Sequence, residues 1–163
     1  MNPRTKVAAE FEDIGGWINS RPLSLSGLRG KVVFLDFWTY GCMNCQRTLP
    51  SMKALHSRYS RDGLVVVGVH TPELPNERKR ENVEKAVASA GLTYPVALDS
   101  ENSTWKLYGN HYWPRQTLID AEGVVRYEHV GEGDYDEIEA KVVELLNESR
   151  TRRSGNLQIE SQR

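Results

Sequence analysis

Cysteine is scarce in this chain: two residues among 163, Cys42 and Cys45. That count excludes a small fold stapled by several disulfides. It also argues against a structural zinc site, which wants four ligands, because the four histidines (His56, His70, His111, His129) are scattered. Long apolar runs are missing, and nothing approaches the ~18 residues of a membrane-spanning helix. Neither charge sign is in excess. Net charge is −1, so no basic footprint suggests nucleic acid or an anionic membrane as partner. The first ten residues lack an apolar core of signal-peptide length. The chain as written is therefore expected in the cytoplasm, and outside it only if a leader has been trimmed.

What is present fits an ordinary globular domain, with 39% hydrophobic and 26% charged residues. The length suits one domain able to bury its own core. The stretch that organises the rest is Phe34-Leu35-Asp36-Phe37-Trp38-Thr39-Tyr40-Gly41-Cys42-Met43-Asn44-Cys45. Val32 to Phe37 reads as a buried strand, and a helical pattern begins right after the turn at Gly41. Cys42 thus falls where a helix starts, at the positive end of its dipole with unpaired N–H groups nearby. A thiolate there would be favoured. Cys45, one turn along on the same face, can close a disulfide with it. These are the parts that thiol–disulfide exchange needs. A purely structural disulfide is the weaker reading, because so short a loop constrains little of the unfolded chain.

Along the chain, Trp17–Ser20 and Pro22–Leu25 read as two short strands or a hairpin, and Ser26–Lys31 as a turn. A helix is predicted over about 42–60, kinked at Pro50. Leu64–Val69 is a second buried strand, parallel to the first. A helix over about 77–90, stopped by Gly91, leads to a strand from Tyr94 to Leu98. Ser103–Tyr108 is one or two helical turns. Gln116–Ile119 and Val124–Val130 form a hairpin. The last helix spans about 134–147, and the charged tail after it is expected to be disordered.

Asp-Phe-Trp-x-x-x-Cys-x-x-Cys, with Pro50 eight residues after the first cysteine, resembles the thioredoxin superfamily active site. The longer string Trp38 to Cys45, with Arg47-Thr48-Leu49-Pro50, is similar to the redoxin/TlpA-like group. Within that group it resembles the C-terminal thioredoxin-like domain of DipZ-type proteins. The resemblance implies an α/β thioredoxin-like fold. Its central mixed sheet is flanked by helices, with an N-terminal hairpin and a helix–strand insertion before a cis-Pro hairpin. The expected organisation is a loose arm over 1–15, the domain over 16–148 and a tail over 149–163.

The resemblance also assigns roles. Asp36 interrupts an apolar strand, where desolvation should raise its pKa. By resemblance it accepts the proton of Cys45 when Cys45 attacks a mixed disulfide. Pro114 is implied to be cis and to lie beside Cys42. Trp38, Trp113 and Pro114 are placed along the substrate groove, which the bulky Trp113 would narrow. Glu73, after the second strand, is a possible auxiliary in proton transfer, although a solvated loop carboxylate is the plainer reading. His70 shares that edge. Gly131 resembles the glycine opposite the cysteines, and Glu132 would give the rim a negative bias.

The function expected is a thiol–disulfide oxidoreductase with catalytic Cys42, Cys45 and Asp36. It would use no metal or cofactor, act on disulfide-containing protein substrates with an upstream thiol reductant or oxidant, and work as a monomer. The alternative is a thiol peroxidase. Thr39-Tyr40-Gly41-Cys42 fits the Thr-x-x-Cys element of peroxiredoxins, with Arg115 as a candidate activating arginine, but Leu35 stands where their proline is expected. A copper-handling module fits less well, since such relatives space their cysteines by three residues and add a histidine.

Overall fold

The computed structural model describes residues 5–161. In chain order its elements are β1 (Trp17–Ile18), β2 (Val32–Trp38), α1 (Met43–Tyr59), β3 (Leu64–His70), α2 (Arg80–Ala90), β4 (Val96–Leu98), α3 (Ser103–Leu107), β5 (Arg115–Ile119), β6 (Val125–Val130) and α4 (Tyr135–Ser161). The strands form one mixed sheet in the order β1-β4-β3-β2-β5-β6. β2, β3 and β4 run parallel, and β1, β5 and β6 pair antiparallel to their neighbours. This is the thioredoxin-like mixed sheet flanked by helices.

β2 is central because all seven of its residues are buried, as an apolar run covered on both faces must be. Alternate side chains feed two cores. Val32, Phe34 and Trp38 pack with the inner stripes of α1, α2 and α4, among them Leu49, Met52, Val87, Ile138 and Val142. Val33, Leu35 and Phe37 face the other way, onto Trp105, Tyr108 and the arm residues Phe11 and Ile14. The parallel strands end together at one edge of the sheet. Trp38, His70 and Leu98 lie there, and so does the start of β5 at Arg115.

Three local expectations differ from the structure. Among the described residues no N-terminal hairpin forms: β1 pairs with β4, Trp17 opposite Ala97 and Ile18 opposite Val96. The segment Pro22–Leu25 stays out of the sheet because proline lacks an N–H and the Glu10 carboxylate takes the N–H groups of Leu25 and Ser26. The arm over residues 5–15 is tied down. Val7 bridges Val124, Tyr108 Oη donates to Ala9 O, and Glu12 N–H donates to Thr104 Oγ1. Finally, α4 runs on to Ser161, so residues 149–161 are helical where composition predicts disorder. Ser149 is buried, Glu148 accepts two bonds from Arg126, and Arg152 pairs with Glu122. These contacts fasten the extension to the β5–β6 hairpin. Residues 1–4 and 162–163, the outer ends of the expected arm and tail, lie outside the described residues.

Gly68 lies opposite Asp36 in the parallel register. A Cβ there would come within 2.9 Å of Trp38 Nε1 and 3.2 Å of Tyr94 Cε2. Gly68→Ala is therefore expected to destabilise the fold by about 1–3 kcal/mol, as overpacking of a filled core does. A urea midpoint equal to that of the parent chain would refute this.

Candidate active site

Cys42 is the N-cap of α1, with φ −90° and ψ 120°, and its Sγ accepts the Cys45 N–H at 3.2 Å. The helix buries Cys45, Thr48, Leu49, Met52 and Leu55, the spacing of one inward stripe. Cys42 lies on the same stripe one turn earlier, at the open rim. It is half-buried, whereas Cys45 has no exposure at all. Both are free thiols. Burial, foremost, pushes the Cys45 thiol far above its ordinary range, and the neighbouring Cys42 and Asp36 add to the effect. The two sulfurs therefore differ sharply in access: one meets solvent and the other is shielded beneath it.

Asp36 is fully buried. Its Oδ1 takes a long 3.4 Å bond from Gln116 Nε2, and Oδ2 has no partner among the described residues. Desolvation without a cation nearby raises its pKa to about 7. Tyr94, whose buried hydroxyl has no partner among the described residues, is close enough for the charge of Asp36 to raise its pKa further, after burial.

The other expected residues lie at the same edge but do different things. Trp38 has no exposure, and its ring meets His70 edge-on at 4.9 Å, so it supports the cysteine turn from beneath and presents no surface to a substrate. The Trp113–Pro114 peptide is cis. The Trp113 indole turns inward, stacking on Trp105 at 4.0 Å and donating Nε1–H to Thr71 O at 2.9 Å. The exposed aromatic of that loop is Tyr112. The groove-narrowing expected of Trp113 is thus not its side chain's visible work. Glu132 pairs with Arg47 at 3.3 Å, which offsets the negative rim expected there. Arg115 pairs with Glu128 at 3.2 Å.

Glu73 is exposed, and only its N–H takes part, donating to Glu77 Oε1 at 2.9 Å. The carboxylate at the turn belongs to Glu77. A 3₁₀ turn over Pro75–Arg78 folds that side chain inward to 2% exposure, where Thr39 Oγ1 donates to it at 2.5 Å. His70 lies beside this pair and accepts the Tyr40 N–H on Nε2 at 3.2 Å. Burial lowers its pKa to about 4, so it stays neutral near pH 7. Asp99 also escaped sequence reasoning. It accepts from Thr71 Oγ1 and from the N–H groups of Thr104 and Trp105, which seats α3 under Trp113. An acidic residue just before a short helix was the available signal.

Residues 6–128 match the AhpC/TSA family. The protein DipZ of Mycobacterium tuberculosis is 47% identical over 147 residues, covering 88% of this chain and 21% of DipZ. The chain thus spans about a fifth of that relative's length. The thiol-disulfide oxidoreductase ResA of Geobacillus thermodenitrificans is 34% identical over 109 residues, covering 67% of this chain and 60% of ResA. A Chlorobium tepidum crystal structure, named for the thiol:disulfide interchange protein DsbE, superposes with TM-score 0.78 at 30% identity, covering 87% of this chain and 96% of that one.

Two outcomes follow from burial. Iodoacetamide should modify Cys42 in the folded chain well before Cys45, and equal rates would refute the asymmetry. Because folded Asp36 holds its proton up to about pH 7 and an unfolded aspartate only to about 4, the native state loses stability as pH rises across that window. Asp36→Asn removes this loss. Relative to the parent chain it should gain up to about 4 kcal/mol between pH 4 and pH 8. A pH-independent difference in urea stability would refute it.

Proposed function

The chain belongs to the AhpC/TSA family, and from that premise we propose that it is a thiol–disulfide oxidoreductase acting on protein disulfides through Cys42 and Cys45. One observation carries the reading: a rim sulfur capping a helix stands over a buried sulfur, and the buried sulfur adjoins a buried carboxyl group with no cation beside it among the described residues.

The steps balance as follows. The Cys42 thiolate attacks one sulfur of a substrate disulfide and expels the other as a thiolate, which takes a proton from solvent. A mixed disulfide now joins Cys42 to substrate. Asp36 removes the proton from Cys45, whose sulfur then attacks Cys42 Sγ. The Cys42–Cys45 disulfide forms, the second substrate sulfur leaves as a thiolate that takes a proton from solvent, and Asp36 gives its proton back to solvent. Two electrons and two protons pass to substrate, and an external dithiol returns the enzyme to its reduced form. A base with a pKa of about 7 suits this step, being half ionised at neutral pH while still basic enough to take the proton. Exposed apolar side chains at the same edge, Met43, Leu74, Tyr112 and Val130, offer surface for an extended peptide.

Peroxide reduction finds less support. The Thr39 hydroxyl that would orient a peroxide donates to Glu77 instead, and Arg115 is engaged by Glu128. Copper handling finds less support as well: among the described residues no cluster of metal-ligating side chains gathers at the cysteines, and His70 Nε2 accepts the Tyr40 N–H.

The test is reduction of insulin disulfides driven by a dithiol, run beside peroxide consumption. Cys42→Ser should abolish turnover. Cys45→Ser should accumulate a mixed disulfide on Cys42. Asp36→Asn should slow the second step roughly tenfold or more at pH 7 while sparing the first. Full turnover by Cys45→Ser, or peroxide consumed faster than insulin is reduced, would overturn the reading.

A further inference from the structure

Glu77 joins two parts of the site that are far apart in sequence. Its Oε1 accepts three hydrogen bonds: from Thr39 Oγ1 at 2.5 Å, from Glu73 N–H at 2.9 Å and from Leu74 N–H at 3.3 Å. Three donors converging on one oxygen is the pattern of a carboxylate anion. Oε2 faces the backbone of the turn before the nucleophile, so close to Gly41 that a Cβ on that residue would overlap it. The absence of a side chain at Gly41 is what admits the carboxylate.

No cation among the described residues neutralises this group. Arg78, the next residue in the chain, pairs with Glu101 at 2.6 Å. His70, on β3 beside Thr39, is neutral and accepts the Tyr40 N–H. The remaining contacts are dipoles: the Thr39 hydroxyl and two amides. The same group also ties the loop after β3 to the Thr39–Cys42 turn. Tyr40 reinforces that seam, donating its hydroxyl to Asn76 O at 3.0 Å and stacking on His70 at 5.6 Å.

We infer that Glu77 is a positioning residue for the exchange reaction, one that fixes the Cys42 turn and, by its charge, biases the Cys42–Cys45 couple toward the disulfide. The inference rests on the thiol–disulfide reading above. Reducing the disulfide with two glutathione molecules transfers two electrons, breaks the Cys42–Cys45 bond and forms oxidised glutathione. Where Cys42 is a thiol both protons end on the cysteines; where it is a thiolate its proton goes to solvent. The disulfide is neutral and does not feel a nearby anion. The thiolate does, and is disfavoured by it. Glu77 therefore makes the protein a better electron donor, and this is separate from the work of Asp36, which acts on Cys45 from inside the core.

The experiment equilibrates the whole chain in glutathione buffers of graded ratio, quenches with an alkylating agent and reads the oxidised fraction by mass. Glu77→Gln keeps an oxygen acceptor for Thr39 and the two amides but removes the charge. In buffers at about pH 9.5, where an ordinary thiol is ionised, its dithiol should be favoured by about three- to tenfold over that of the parent chain, the size expected of one charge beside the turn in a partly screened site. For a two-electron couple, tenfold is about 30 mV. Gly41→Ala, which displaces the carboxylate without altering it, should shift the balance the same way. Thr39→Val keeps the charge and should move it less than twofold. A Glu77→Gln balance equal to the parent's, or shifted toward the disulfide, overturns the role of Glu77 and leaves the exchange chemistry standing. A parent pair that never forms a disulfide in excess oxidised glutathione overturns both.

Discussion

Desolvation at the junction of β2 and α1 is the physical effect on which the rest of the site depends. Asp36 sits mid-strand in a row of apolar residues, with one long hydrogen bond and no cation. Buried in this way, its charged form is costly, and its pKa rises to about 7. The same absence of water pushes the Cys45 thiol up. Both groups thereby hold their protons more tightly than they would in water, which makes Asp36 a stronger base and keeps Cys45 a thiol. The cost to stability above neutral pH is the counterpart of that tuning.

The sheet supplies the geometry that makes this useful. Because β2, β3 and β4 run parallel, their ends deliver the cysteine turn, His70 and the Asp99 junction to a single edge. β5 enters from that edge and brings the cis Trp113–Pro114 loop with it. Packing behind the edge is layered. Asp99 seats α3, α3 carries Trp105, and Trp105 stacks on Trp113. The loops that a substrate would meet are thus held by buried polar and aromatic contacts. Glu77 closes the other side, joining the loop after β3 to the turn before Cys42.

Much of this was legible beforehand, and the legible parts share a cause. β2, β3, α1 and the Cys-x-x-Cys turn are written in local patterns: an apolar run, a helical stripe, a glycine before a cap. The carboxyl edge follows from connectivity alone, since two strands joined by one helix must run parallel. Asp36 stood out because a carboxylate in an apolar run has few bland explanations. The misplacements have a different cause. Glu73 was the visible acid after β3, but a 3₁₀ turn brought Glu77 inward instead. The second N-terminal strand failed because Glu10, fifteen residues upstream of Leu25, took the N–H that a ladder would need. The end of α4 was misjudged because its ties run to Arg126 and Glu122 on the hairpin.

The sequence by itself determined the sulfur pair, the helix it caps and the strand beneath it, because each is a matter of neighbours within a few residues. Tertiary structure decided which side chains surround those sulfurs. Exposure, proton affinity and the partner of a buried carboxylate depend on what other segments place nearby. No spacing rule connects Thr39 with Glu77 or turns Trp113 onto Trp105: those contacts exist only once the sheet has set its edge.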